Sequence, residues 1–122
     1  MVLVDTSIWI DHFRAANARL RELLESGDVL IHPFVLGELS CGNFRDRRRA
    51  LDMLAKLPKT VPATEEEARA FIERRLLYGR GIGYIDVHLL ASAVLTDQCV
   101  LWTGDKRLRD VAGDLGVEYP ET

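Results

Sequence analysis

The chain has few cysteines, no long hydrophobic run and no excess of basic residues. Its only cysteines are Cys41 and Cys99, and neither belongs to a CxxC pair or stands at metal-ligand spacing from a histidine. This argues against a zinc site and a disulfide framework, and it predicts two buried free thiols. No apolar run approaches the roughly 20 residues of a membrane span, and the N-terminus lacks the features of a signal peptide. We therefore expect a cytoplasmic protein with no membrane segment.

The net charge of the chain does not indicate a nucleic-acid partner. The formal net charge is −3 and the predicted pI is about 5.6, whereas phosphate-binding proteins usually present a basic surface. A cluster of carboxylates that holds a divalent cation would nevertheless offer positive charge to a phosphate. With 48% hydrophobic and 29% charged residues, the sequence is typical of a globular protein, and its length predicts one domain over residues 1–122.

Short apolar segments alternate with amphipathic segments along the chain. Continuous apolar runs predict buried strands that end at Val4, Ile31 and Trp102, and residues 58–63 and 117–119 could add extended segments. Helical spacing of apolar residues, with capping residues and glycine stops, predicts seven helices, over residues 8–13, 17–26, 34–41, 46–57, 64–78, 86–95 and 106–115. Strands alternating with helices imply an α/β fold with a mainly parallel sheet covered on both faces.

Two carboxylates directly follow predicted strands. Asp5 closes the first apolar run and Asp105 follows a late one, and each has a threonine close by, Thr6 and Thr103. If these strands are parallel neighbours, both acids lie at the carboxyl edge of the sheet, where open α/β sheets place their ligand sites. Each of them, like Asp86 at the predicted start of a helix, can equally be a helix N-cap, and the sequence leaves both explanations open.

Glu38 is harder to explain as a structural residue. In the helix opened by Pro33 it falls three positions after Val35 and four after Phe34, which places it beside the predicted apolar face. A carboxylate buried there without a partner would cost several kcal/mol. We therefore expect either a basic residue or a metal ion to pair with Glu38, and the other three acids favour the metal ion.

The candidate site thus consists of four carboxylates, those of Asp5, Glu38, Asp86 and Asp105. Oxygen-only ligands select hard cations, which predicts Mg²⁺, with Mn²⁺ as a substitute. Ions held in this way typically serve phosphate chemistry, because they orient water and neutralise charge on the scissile group. Without a cation the four acids would repel one another.

The same residues resemble those of PIN domains. Val4-Asp5-Thr6-Ser7 at the start, Glu38 after the second strand, Asp86 opening an alanine-rich helix and Thr103-Gly104-Asp105 after a late strand are similar to the four-acid pattern of that family in order and spacing. The chain length and the opening Asp-Thr-Ser, followed by Trp9-Ile10-Asp11, are most similar to the VapC toxins of bacterial toxin–antitoxin pairs. The resemblance covers essentially the whole chain.

This resemblance implies a three-layer α/β/α fold and a Mg²⁺- or Mn²⁺-dependent endoribonuclease that leaves 5′-phosphate and 3′-hydroxyl ends. It also implies a homodimer that is silenced by a VapB-type antitoxin, whose peptide enters the acidic groove, often with a basic side chain among the carboxylates. The metal ligands and catalytic acids would be Asp5, Glu38, Asp86 and Asp105. Thr103 would join them as a catalytic residue, and Thr6 would support the site as a substrate contact.

The chain departs from some family members after the last aspartate. Those members carry a further acid two or three residues later, where this chain has Lys106, Arg107 and Leu108. Asp110 is five residues on and would face another side of the helix. The resemblance therefore does not extend to a second tightly held metal ion.

Several features are open to more than one explanation. Arg80, in the glycine-rich connector of residues 79–83, is either a phosphate contact or an exposed linker residue. The arginines of residues 45–49 form either a solvated helix end or a surface for RNA or antitoxin. Two alternatives to a nuclease are a catalytically weak PIN-like scaffold that binds RNA or protein, and a phosphatase with Asp5 as covalent nucleophile. Ser7 disfavours the phosphatase, because such enzymes usually need a second aspartate there.

Overall fold

Three strands alternate with seven helices in the computed structural model, which describes residues 1–120. The last two residues of the predicted domain, 121 and 122, lie outside the described residues. In chain order the elements are β1 (Val2–Val4), α1 (Thr6–Arg14), α2 (Ala18–Glu25), β2 (Val29–Leu30), α3 (Pro33–Ser40), α4 (Arg47–Ala55), α5 (Glu65–Arg75), α6 (Tyr84–Leu95), β3 (Val100–Trp102) and α7 (Lys106–Asp114).

The first strand is the centre of a parallel sheet with the order β2-β1-β3. Val2 pairs with Val29 on one side and with Val100 on the other. Leu3 and Val4 are completely buried although their side chains point to opposite faces, so both faces of the sheet are covered. This confirms the predicted parallel α/β arrangement and is consistent with a three-layer α/β/α fold.

Two extended segments lengthen the sheet by single bridges. Ile31 bridges Lys59 in parallel, which places the proline-bounded segment beside β2, and Leu101 bridges Glu118 beside β3. The amide of Tyr119 donates to the carbonyl of Leu101 at 3.0 Å. The extended segments at 58–63 and 117–119 therefore each add a single bridge to the sheet. Neither segment forms a longer strand.

Several helix boundaries differ from those predicted. Helix α1 begins at Thr6, two residues early, because Asp5 itself caps it. Helix α5 starts with the predicted capping box of Thr64 and Glu67 but ends three residues early, because Leu76 takes a left-handed conformation with φ 55°. Helix α6 begins at Tyr84, so Asp86 is its third residue and does not open it.

The sequence also predicted the burial of both cysteines and the absence of a membrane segment. Cys99 is buried as predicted, but Cys41 is exposed, because it follows the last residue of α3 at a turn that the core does not cover. The prediction of two buried thiols was therefore wrong for Cys41. Among residues 1–120, none of the helices combines the length and the apolarity that crossing a bilayer would need.

Candidate active site

Asp5 stands at the carboxyl end of the central strand and caps α1. Its Oδ1 accepts a hydrogen bond from the amide of Thr6 at 2.7 Å, and the residue is only 7% exposed. An aspartate is a favourable N-cap because its carboxylate satisfies an amide that the helix leaves unpaired. The same position at the sheet edge points the acid toward the place where ligands bind in α/β folds.

Two hydroxyls hold Asp5 and connect it to the turn after β3. Thr103 Oγ1 and Ser7 Oγ donate to Asp5 Oδ2 at 2.7 and 3.2 Å. Each hydroxyl also accepts an amide from that turn, Thr103 from Asp105 at 3.1 Å and Ser7 from Gly104 at 3.2 Å. The ends of β1 and β3 are therefore joined by side chains as well as by the sheet, and Asp105 is brought to the edge where Asp5 lies.

Asp105 is exposed and caps α7. Its Oδ1 accepts the amides of Arg107 and Leu108 at 2.9 and 3.3 Å. These bonds use one carboxylate oxygen, and Oδ2 has no hydrogen-bond partner among residues 1–120.

Glu38 reaches the site in a different way from the one predicted. Its side chain is exposed, and Oε1 accepts a hydrogen bond of 2.8 Å from Thr6 Oγ1. The expectation of a buried carboxylate was wrong. The buried stripe of α3 consists of Val35 and Leu39, and Phe34, one turn before Glu38, is itself 41% exposed, so this edge of the helix faces outward.

Asp86 is influenced by the other three acids. Burial raises the pKa of its carboxyl above the ordinary value of 3.8, and repulsion by Asp5, Asp105 and Glu38 raises it further. A hydrogen bond of 3.0 Å from the amide of Gly83 to Oδ2 acts in the opposite direction but does not cancel these effects. Asp5, Asp105 and Glu38 are therefore near enough to Asp86 to disfavour its charged form.

The described part of the chain supplies no cation to this group. None of the four acids forms an ion pair within residues 1–120. Two cations of the adjoining segments are paired elsewhere: Arg80 with Asp114 at 2.8 Å, and Lys106 with Asp110 at 3.2 Å. The four acids are thus left without an ion-pair partner in this part of the protein.

The sequence profile of the PIN domain family matches residues 2–114. This chain belongs to the PIN domain family. It is also 45% identical over 121 residues to Ribonuclease VapC32 from two strains of Mycobacterium tuberculosis, CDC 1551 / Oshkosh and ATCC 25618 / H37Rv. The matched region covers 99% of this chain and 98% of each relative. The predicted resemblance to PIN domains is therefore confirmed.

In this PIN domain the N-cap explanation holds for two of the three aspartates. Asp5 and Asp105 are N-caps, whereas Asp86 is the third residue of its helix and accepts the amide of Gly83. Asp5 and Asp105 also contribute to the repulsion that raises the pKa of Asp86. A carboxylate has about four lone-pair positions, so capping one or two amides leaves it able to bind something else.

The donor set of the PIN site fits a hard divalent cation in its chemistry. It is made only of carboxylate oxygens, and three of these, Glu38 Oε2, Asp86 Oδ1 and Asp105 Oδ2, accept no hydrogen bond within residues 1–120. The side chains do not form a closed cage, since no three described histidine, cysteine, aspartate or glutamate residues stand close enough to hold a metal ion. PIN-domain ribonucleases in general depend on a metal ion.

Three further residues were predicted to act at the PIN site. Thr103 is buried and contacts Asp5 and Asp105, so it positions acids and does not face solvent. Thr6 lies between Asp5 and Glu38 through its amide and hydroxyl. Arg80 is bonded to Asp114, the last residue of α7, whereas Asp105 stands at the other end of that helix.

Sequence reasoning missed the hydrogen bond that Ser7 gives to Asp5 and the position of the Arg107 side chain. Ser7 belongs to the Asp-Thr-Ser motif, and its place between two acid-bearing turns could have indicated a role. The side chain of Arg107 lies against Gly81 in the loop before α6. No local pattern predicts that contact, because it joins segments that are distant in sequence.

Proposed function

We propose that this protein is a metal-dependent endoribonuclease of the VapC toxin type, formed by one PIN domain over residues 1–122. The observation that carries the proposal is the convergence of four carboxylates with no cation from the described part of the chain. Family membership and the 45% identity to proteins named Ribonuclease VapC32 support the same activity. A site of this charge would repel an RNA phosphate unless a cation occupied it.

The ligands that we propose for Mg²⁺, or for Mn²⁺ in its place, are Asp5, Glu38, Asp86 and Asp105. A bound ion would activate a water molecule and neutralise charge on the scissile phosphate. Asp5 would be the fixed member of this set, because three donors from Thr6, Ser7 and Thr103 hold its carboxylate.

Asp86 is the member of this set whose charged form is disfavoured without a cation. Burial raises the pKa of its carboxyl, and repulsion by Asp5, Asp105 and Glu38 raises it further. The amide of Gly83 fixes Oδ2, which leaves Oδ1 as the oxygen that would bind the ion. A bound ion would offset the repulsion within the site.

The proposal is tested by RNA cleavage with wild type and Asp5→Asn, in Mg²⁺, in Mn²⁺ and in EDTA. We expect wild type to cleave only with a cation and to leave 5′-phosphate ends, and Asp5→Asn to lose about 100-fold or more of the rate. Asp97→Asn is the matched control, because Asp97 is exposed and precedes β3, at the opposite end of the strand from Asp105.

Two outcomes would contradict this function. Equal cleavage by wild type and Asp5→Asn would indicate a contaminating nuclease. RNA binding without cleavage in any cation would favour the catalytically weak scaffold instead.

We further propose a VapB-type antitoxin as the protein partner. A groove of about 390 Å³, lined by Ile10, Phe13, Leu39 and Phe44 with Arg14 and Arg45, includes Glu38, so a partner lying in it would contact that acid. A basic side chain from that partner would supply the cation that the described chain lacks. Calorimetry with the product of the neighbouring reading frame tests this binding, and Glu38→Ala should weaken it.

The homodimer is a separate proposal. Exposed apolar side chains on and beside α5 and α6, including those of Leu76, Tyr78 and Tyr84, support a contact between two copies. Light scattering of the purified protein distinguishes a dimer from a monomer. We also propose a cytoplasmic location, and Thr6 and Arg80 as substrate contacts. The kinetics of Thr6→Val, described below, address the contact of Thr6.

A further inference from the structure

Arg107 connects the two loops that carry Asp105 and Asp86. Its backbone amide donates to Asp105 Oδ1 at 2.9 Å, so the residue sits in the first turn of α7. Its side chain crosses to Gly81, where an added Cβ would meet Arg107 Cδ and Nη1 at 2.8 Å and Cζ at 3.3 Å. Gly81 lies two residues before Gly83, whose amide caps Asp86. The Arg107 side chain therefore lies against the loop that leads to Asp86, while its backbone amide donates to Asp105.

The N–H groups of the Arg107 guanidinium donate no hydrogen bond within the described structure. Residues 1–120 provide no hydrogen-bond or ion-pair partner for the Arg107 side chain. Two other basic residues in these segments do have ion-pair partners: Lys106 pairs with Asp110 and Arg80 pairs with Asp114. No ion pair joins Arg107 to any of the four acids within residues 1–120.

We propose that Arg107 binds a phosphate of the RNA strand next to the scissile bond. This inference rests on the proposed ribonuclease function and deepens it. A planar guanidinium with five donors matches the oxygens of a phosphate in a bidentate way. A cation at the rim of an acidic centre would hold the RNA backbone while the carboxylates remain available at the cleavage point.

Gly81 is the residue that makes room for this cation. Its φ of +79° is strained for any side chain, and a Cβ there would collide with Arg107. Gly79 in the same loop also has a positive φ, +72°, but a Cβ there would meet nothing within 4 Å. Gly81→Ala and Gly79→Ala therefore impose similar backbone strain, and only the first displaces Arg107.

The first experiment measures RNA affinity, with each variant placed in the Asp5→Asn background so that a single-stranded RNA oligonucleotide remains intact. We expect Arg107→Ala to weaken binding about 10- to 100-fold and Arg107→Lys to restore part of it, since a charge-assisted contact is lost. The slope of log affinity against log salt should fall by about 0.7, the value for one phosphate contact on a single strand. Lys106→Ala, whose ammonium pairs with Asp110, should stay within about two-fold of the parent.

The second experiment compares the two glycine variants in otherwise wild-type protein. We expect Gly81→Ala to raise the KM for RNA cleavage about as much as Arg107→Ala does, and Gly79→Ala to leave it near the wild-type value. Gly81→Ala should add no further loss in the presence of Arg107→Ala, because both changes remove one contact.

These outcomes separate the phosphate contact from the ribonuclease function. Cleavage by wild type, together with unchanged RNA affinity and salt slope in Arg107→Ala, would overturn only the role of Arg107. Equal losses in Gly79→Ala and Gly81→Ala would likewise overturn it, because loop strain would then explain both. A wild type that neither binds nor cleaves RNA in Mg²⁺ or Mn²⁺ would overturn the function and the contact together.

Discussion

The hydroxyl of Thr103 donates a hydrogen bond of 2.7 Å to Oδ2 of Asp5, across 98 positions of the chain. Both residues are buried, Thr103 at 2% exposure and Asp5 at 7%. A carboxylate at such a position has to be compensated by donors, because burial removes its hydration. The bond therefore stabilises the adjacent ends of β1 and β3 while it orients an acid of the site.

Thr103→Val should reduce stability more than its small change in volume suggests. The substitution removes one hydrogen-bond donor from the buried Asp5 carboxylate and the acceptor for the amide of Asp105. We therefore expect a loss of about 1.5–3 kcal/mol in the free energy of unfolding. Urea denaturation measures this loss. Thr103→Ser keeps the hydroxyl and should lose clearly less, and equal stability of the valine variant and wild type would contradict the prediction.

Divalent cations should stabilise the folded protein. Repulsion among the four acids would be relieved by a bound ion, and Mg²⁺ or Mn²⁺ at about 100 times its Kd should add about 2.7 kcal/mol to the free energy of unfolding. Thermal unfolding in EDTA and in each ion tests this, with NaCl at equal ionic strength to account for screening. Asp86→Asn should gain less from the ions than wild type. A gain no larger than that in NaCl would count against the metal site.

Acid should destabilise the protein partly through His32. Burial lowers the pKa of its imidazole from 6.5 to about 4, and the nearby His88 contributes to the shift. The unfolded chain therefore binds more protons between pH 6.5 and about 4, so stability falls as pH falls through this range. His32 Nδ1 accepts the amide of Phe34 at 2.9 Å, which places the proton on Nε2, a buried atom without a partner within residues 1–120.

His32→Asn is the variant that tests this pH dependence. The asparagine oxygen can still cap α3, but it does not titrate. Between pH 6.5 and 4, the free energy of unfolding should fall less steeply than in wild type, by at most about 1.4 kcal/mol per pH unit, the slope of one proton. The slope of His12→Asn is compared with that of His32→Asn, because burial also lowers the pKa of His12. An identical slope for His32→Asn and wild type would exclude His32 as the titrating group.

Thr6→Val should separate positioning from substrate binding at the site. The Thr6 hydroxyl donates to Glu38 Oε1 at 2.8 Å, and if its role is to orient that acid, its loss should lower kcat about five-fold with KM little changed. If Thr6 contacts RNA, KM should rise instead. Ser40→Ala removes an exposed hydroxyl from α3, the helix that carries Glu38, and should change neither constant. Wild-type values for both constants in Thr6→Val would argue against either role.

Local rules predicted much of the fold. The apolar run that ends at Val4 forms the central strand, and the spacing of Thr64 and Glu67 forms a capping box, because both depend on residues a few positions apart. Parallel strands also bring their carboxyl ends to one edge of the sheet. That topological rule predicted that Asp5 and Asp105 would lie at one edge if their strands were parallel neighbours, and the pairing of β1 with β3 meets that condition.

The exposure of side chains was harder to predict from the sequence. Helical spacing places Glu38 beside an apolar stripe, but only the packing of α3 decides that this edge of the helix faces solvent. In the same way, capping geometry moves the start of α6 back to Tyr84 and turns Asp86 toward Gly83. In both cases the position along the helix was predictable, whereas the direction of the side chain depended on neighbouring elements.

The sequence by itself determined which strands are buried, where the helices lie and which acids end the strands, because hydrophobic periodicity and capping act between near neighbours. The tertiary structure alone decided that Arg80 pairs with Asp114, that Arg107 lies on Gly81 and that the imidazole of His32 is enclosed. Such contacts join distant segments, and they depend on how far each helix is turned and shifted against the sheet. The four acids required both levels: the sequence placed Asp5 and Asp105 at strand ends and Glu38 and Asp86 within helices, and packing brought the other three near Asp86.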